Sequence, residues 1–180
     1  MRLSTAAPAL AILILSSCAS SAPATWSFAE LDPTEFQTVG IIAETIEPYG
    51  VTKTNVHLET LVAGELIRKG YRVADRTNLH TVHQELKRQQ LDLYDDATRQ
   101  EVGEALGVQA MLFLTHCRRK DEKDRTMGWS TTAELILVSQ GQIVGTCTYQ
   151  TKACWNFQTT LPPFEEHVRL LMAAFPSIET

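Results

Sequence analysis

The sequence predicts a single α/β domain, a mixed sheet of about five strands with helices packed on its faces. Three observations carry this. Short β-branched apolar runs alternate with segments whose apolar residues recur at helical spacing. Glycines stand where those helical patterns stop. The 180 residues contain no internal repeat, and past the amino terminus no apolar stretch is long enough to cross a bilayer as a helix.

The elements follow in order. Thr38 to Ala43 is a short apolar run, a buried strand by composition. Glu47-Pro48-Tyr49-Gly50 is turn chemistry. Asn55 is placed to cap a helix running to about Lys69, with Leu58, Leu61, Val62 and Leu66 on one face and Gly70 as the stop. Tyr71 to Ala74 then reads as a second strand, parallel to the first because a helix crosses between them. Thr77 or Asn78 caps a helix carrying Leu79, Val82 and Leu86. Ala97 to Leu106 is a third helix, ended by Gly107. Ala110 to Leu114 is a continuous apolar run, a central strand, followed by a charged loop from Arg118 to Arg125. Thr132 to Val138 and Gln142 to Gln150 flank Ser139-Gln140-Gly141 as a hairpin. Phe164, Val168, Leu171, Met172 and Phe175 form the apolar stripe of a last helix, introduced by Pro162-Pro163. Gly103 and Gly107 read as close packing and a helix stop, not as a phosphate cradle.

The amino terminus has the layout of an export signal. Met1 and Arg2 give a short positive region, and Ala6 to Leu15 an uncharged one rich in Ala, Leu and Ile, too short to span a bilayer. Leu15-Ser16-Ser17-Cys18 resembles the lipobox of bacterial lipoproteins. That likeness implies cleavage after residue 17 and a diacylglycerol on the Cys18 thiol. Ala19 after it, where Asp would mark inner-membrane retention, implies an outer-membrane anchor with the domain in the periplasm. Residues 1–17 are then the signal peptide, 18–25 the lipidated tether and 26–180 the domain. The six residues from Ala19 to Ala24 reach about 20 Å when extended, so the folded body sits close to the membrane. Trp26 and Phe28 come next, to pack on the domain or dip into the lipid interface.

The net charge of −5 and the absence of a basic stripe argue against nucleic-acid binding. No nucleophile motif, phosphate loop or dinucleotide fingerprint is present, and no cofactor or metal is called for. His80 and His83 are spaced i, i+3 on a helix, a spacing that can hold a metal; a solvated helix face is the simpler account. Asp75-Arg76 follows a strand, where open sheets place ligands, though a salt bridge or helix cap explains it more simply. Cys117 has no base near it in sequence. Trp129 and Trp155 read as core packing first and a partner surface second. Besides Cys18 the chain carries Cys117, Cys147 and Cys154. An oxidising periplasm permits a disulfide. If the strand after the charged loop returns beside Ala110 to Leu114 and the hairpin turns at Gln140-Gly141, Cys154 comes back to the same end as Cys117. Ile143, Gly145, Cys147 and Tyr149 then share one face by the period of two, with Cys147 buried. A Cys117–Cys154 disulfide with Cys147 free is the resulting expectation.

The order of these segments resembles the CsgG-like lipoprotein family, which includes the curli secretion lipoprotein, the peptidoglycan-synthase-activating lipoproteins and the amino-terminal domain of TolB. The resemblance runs over about 115 positions. It covers Val39 to Ala43, Leu58, Leu61 and Leu66, Gly70 to Arg76, Gln84 to Leu86, Val102 to Leu112, and the hairpin Leu135 to Val138 with Gly141 to Val144. It implies an α/β domain that is not an enzyme, an accessory or scaffold in envelope assembly or secretion that works by contact with an envelope protein. A monomer or small homo-oligomer is expected. The curli channel's inserted barrel hairpins have no counterpart, because the only long segment between strands, Arg118 to Ser130, is too charged to face lipid. The synthase activators' long tether is also missing. The rival expectation is a small-ligand binder or enzyme that uses the carboxyl ends of its strands.

Overall fold

The computed structural model describes residues 24–29, 32–47, 50–75, 81, 96–120, 126–152 and 163–178. Its centre is a parallel pair. β2 (Thr38–Ile46) and β5 (Ala110–Lys120) run side by side from Val39 opposite Ala110 to Ile46 opposite Cys117. Both are rich in Val, Ile and Leu because both faces of the pair are covered. β6 (Thr126–Leu137) and β7 (Gln142–Lys152) follow antiparallel, joined at Gly141, which takes a φ of 65° that its missing Cβ permits. β1 (Trp26–Phe28) closes one edge against β7. On the other edge β2 meets β3 (Thr52–Thr54) antiparallel and β4 (Arg72–Val73) parallel. The strand–helix–strand unit and its parallel sense are as the sequence predicts.

The sheet has seven strands, not about five. β1 and β3 are three residues each, too short for a period of two to show. The strand expected to stop at Leu114 continues to Lys120, and the one expected from Thr132 starts at Thr126. The charged Arg118-Arg119-Lys120 is therefore strand and not loop. Backbone pairing sustains it: Arg118 lies opposite Trp129 and Arg119 opposite Gly128, past the point where apolar burial marks the pattern. A second correction concerns Ile143, expected in the core with Cys147 and Tyr149. Leu135 faces Gly145 and Ile136 faces Ile143, so Val144 is the extra residue of a bulge. The alternation reverses there. Val144 is buried and Ile143 is 41% exposed, while Cys147 and Tyr149 stay buried.

Helix α1 (Val56–Arg68) starts where the Asn55 side chain accepts the Leu58 N–H at 2.9 Å. Its Leu58, Val62 and Leu66 are fully buried against the sheet, each worth about 1.5–3 kcal/mol relative to exposure. The Lys69 ammonium donates to the carbonyls of Ala173 and Phe175, tying its end to that of α3 (Phe164–Met172). Glu59 is buried on α1 and accepts the Ala43 N–H at 3.2 Å, on the stretch of β2 between its pairings with β4 and β3. Helix α2 (Asp96–Leu106) covers the other face, where Val102 packs with Ile42, Met111 and Val138. The helix expected after Thr77 or Asn78 lies outside the described residues. Trp26 and Phe28 pack on the domain. Their rings stack at 5.4 Å and meet Phe175, and Trp26 Nε1 donates to the Leu171 carbonyl at 2.9 Å.

Gly103 gives a test of the α2 contact. A Cβ there would stand 2.2 Å from Val138 Cγ2. Gly103→Ala is expected to cost about 1–3 kcal/mol of overpacking, read as a lower urea midpoint. Adding Val138→Ala to that variant should recover part of the loss. Equal midpoints for Gly103→Ala and wild type would contradict the packing.

Candidate functional site

A cleft of about 500 Å³ opens at the carboxyl ends of β2 and β5, beside the amino termini of α1 and α3. The period of two along β5 places His116 on the face that carries Leu112 and Leu114 into the core, and Arg118 one step further on the same face. Directly opposite His116 in the register is Thr131. On α3, Phe164 and His167 are i, i+3 and point the same way. The Thr131 hydroxyl lies 2.9 Å from His116 Nδ1 and 2.8 Å from His167 Nε2. It has one proton, so it donates to one ring and accepts from the other. Above this bridge stand rings: Phe164 is 4.9 Å from His116 and 5.6 Å from Trp129, and the Arg118 guanidinium lies 5.2 Å over the Trp129 ring. Tyr149 flanks His167 at 4.9 Å.

Burial holds both imidazoles neutral near pH 7. It pushes His116 down to about 4, assisted by the Arg118 charge, and His167 down to about 4, assisted by His116. At the rim, His57 faces Glu165 at 3.7 Å and Lys53 faces Glu47 at 3.9 Å; all four are exposed. Trp129 Nε1, the Tyr149 hydroxyl and His167 Nδ1 are buried without a protein partner. Thr131 is fully buried and its hydroxyl is committed on both sides, so it cannot attack a bound molecule. The site is equipped to bind with aromatic faces and single hydrogen bonds.

The residues singled out from sequence fall elsewhere. Asp75 is exposed just past β4, which pairs with β2 at Thr38 and Val39, the end away from the cleft. Cys117 has a free thiol and points to the face opposite His116; Cys147 is free and buried beside Tyr149, its thiol pushed up to about 11 by burial. Cys18, Arg76, His80, His83, Cys154 and Trp155 lie outside the described residues. Among the described residues no three His, Cys, Asp or Glu side chains could hold a metal. Trp129, expected first as core packing, lines the cleft instead. His116, Thr131, His167, Arg118 and Phe164 were not selected from sequence. The available signals were a histidine in phase with Leu112 and Leu114, and another three residues after Phe164.

Two outcomes are expected. The folded imidazoles titrate below their unfolded value of about 6.5, so the unfolded chain binds more protons between pH 6.5 and 4. Stability is then full above pH 6.5 and falls as pH drops toward 4, by up to ~1.4 kcal/mol per pH unit for each ring. Urea midpoints measured from pH 7 to 4.5 should fall less steeply in His116→Gln/His167→Gln; parallel slopes would contradict the neutral pair. For the cysteines, native alkylation should leave Cys147 unlabelled, and we propose that protein taken from an oxidising compartment carries the Cys117–Cys154 link. Non-reducing peptide mapping that finds Cys147 in a linked peptide would overturn both.

No family model and no curated protein matches the chain. Its structure is similar to solved ones. These include a PelC dodecamer from Paraburkholderia phytofirmans (13% identity, TM-score 0.49, covering 83% of this chain and 91% of that one). The carboxy-terminal domain of LpoB from Salmonella enterica is a second (17% identity, TM-score 0.46, 67% and 87%). A lipoprotein from Neisseria meningitidis is a third (14% identity, TM-score 0.45, 69% and 86%).

Proposed function

We propose that this chain is a lipoprotein, anchored in the outer membrane through Cys18 with its domain in the periplasm. It acts without catalysis, as an accessory or scaffold in envelope assembly or secretion, by holding a protein partner at the aromatic cleft. One observation carries the reading. The cleft combines Trp129, Phe164 and His116 with a hydroxyl that is sealed beneath them, which favours contact over chemistry. The lipobox-like Leu15-Ser16-Ser17-Cys18 supports the anchor, and the ordered resemblance to CsgG-like lipoproteins supports the envelope role. A second reading, a small-ligand binder, is favoured by the buried and unpartnered Trp129 Nε1 at the carboxyl ends of the strands.

The anchor is tested by fractionation. Cys18→Ser should release the protein from the membrane fraction and leave an altered precursor, whereas wild-type protein found wholly soluble, with no lipid mass on its amino-terminal peptide, would refute it. Crosslinked pull-down from envelopes tests the cleft. A partner captured by wild type should drop about tenfold or more with Trp129→Ala, the loss expected of an aromatic anchor; undiminished capture would remove the cleft from the interface.

A further inference from the structure

We infer that the cleft end of the domain lies against the phospholipid surface that carries its own anchor, with Ile46, Val51 and Val56 seated in the lipid interface; the inference rests on the lipidation proposed above. These three side chains are 38%, 53% and 40% exposed. Ile46 ends β2, Val51 is in the turn before β3 and Val56 begins α1, so all three crown one end of the molecule. The turn is braced by the Glu47 N–H donating to the Val51 carbonyl at 2.8 Å. Among the described residues the other large exposed apolar side chains, Ile67 and Ile143, stand singly near the end of α1 and the start of β7. A clustered apolar rim beside Trp129 and Arg118 has the make-up of an interfacial belt: aliphatics below, an aromatic at headgroup level, cations reaching outward.

The direction and length of the tether select the occupant. Ala24 and Trp26 are fixed to the Leu170 and Leu171 carbonyls, so slack begins upstream of Ala24. β1 runs antiparallel to β7, so the chain reaches Trp26 from the side where β7 ends, which is the cleft end. From Trp26 level, matched through Cys147 and Ala133 to Leu114, β5 continues six residues to Lys120. That is about 20 Å at 3.3 Å per residue, as far as the six-residue tether can reach. The sheet end and the lipid therefore meet at the same height. Reversing the domain would require the tether to double back along β1. A short tether also raises the local concentration of surface to the millimolar range, so a contact too weak to hold a free domain is occupied here. Lys53 is matched by Glu47, which leaves the rim near neutral. The hold comes from apolar burial, and anionic lipid is not needed. The cleft then opens at the bilayer surface, and its protein partner is one presented there.

The test is photocrosslinking of the mature lipidated chain in protein-free phosphatidylethanolamine/phosphatidylcholine vesicles doped with a diazirine phospholipid, with adducts mapped by mass spectrometry. Adducts on residues 46–57 should exceed those on the β6–β7 turn, residues 138–143, by at least about fivefold for a surface-held face, with or without added phosphatidylglycerol. Val51→Asp with Val56→Asp should cut the yield on 46–57 severalfold at an unchanged thermal midpoint, since both sites are exposed. Even labelling, labelling concentrated at the turn, or a footprint that appears only with phosphatidylglycerol overturns the inference. A Cys18→Ser chain carrying an amino-terminal hexahistidine, held on nickel-chelating vesicles, separates the two claims. It should give the same footprint even if wild type proves unlipidated, and absence of the footprint on that anchored chain is equally fatal.

Discussion

Everything at the cleft depends on the parallel pairing of β2 with β5. Two parallel neighbours cannot be joined by a tight turn, so the chain must leave the sheet, cross it as α1 and return. That crossing brings the amino terminus of α1 to the carboxyl ends of both strands, and α3 lies alongside α1 with the same polarity. A concavity results wherever two such strands end and their connections part. Here β5 and β6 run on past the helices' reach, so the concavity has a wall of strand carrying His116, Arg118 and Trp129.

The interior around this pair is not wholly apolar. Glu59 serves as a one-residue substitute for a missing strand, supplying an acceptor to Ala43 where neither β3 nor β4 pairs with β2. Thr131 serves two imidazoles at once. Groups of this kind add little net stability when satisfied and are costly when broken. Their effect is to allow one register and one helix placement: a slip of β6 by a residue would point Thr131 to the opposite face.

Most of the central architecture is written in local pattern. Asn55, Gly70 and Gly107 mark helix ends where the structure has them, and Val39 to Ala43 and Ala110 to Leu114 are apolar enough to mark inner strands. What escapes is whatever pairs without burying. The charged end of β5 and the three-residue β1 and β3 are held by backbone ladders, which leave no trace in hydropathy. The bulge at Val144 escapes too, because Ile143 and Val144 are equally apolar and only the partner strand decides which turns inward. The cleft was illegible for a related reason. Its residues come from β5, β6 and α3, and the hydroxyl that links them is 15 positions from one histidine and 36 from the other.

The seating of β1 has a mechanical consequence. A pull on the amino terminus is delivered at Ala24 and Trp26, along the axis of a strand whose bonds to β7 run across that axis. The load is therefore shared by those bonds together in shear and is not spent on them one at a time as in unzipping. Trp26, wedged between Phe28 and Phe175 and latched to Leu171, acts as the barb that must be drawn out with them. An envelope that shifts under turgor or growth would strain the leash before it dislodged the body attached to it.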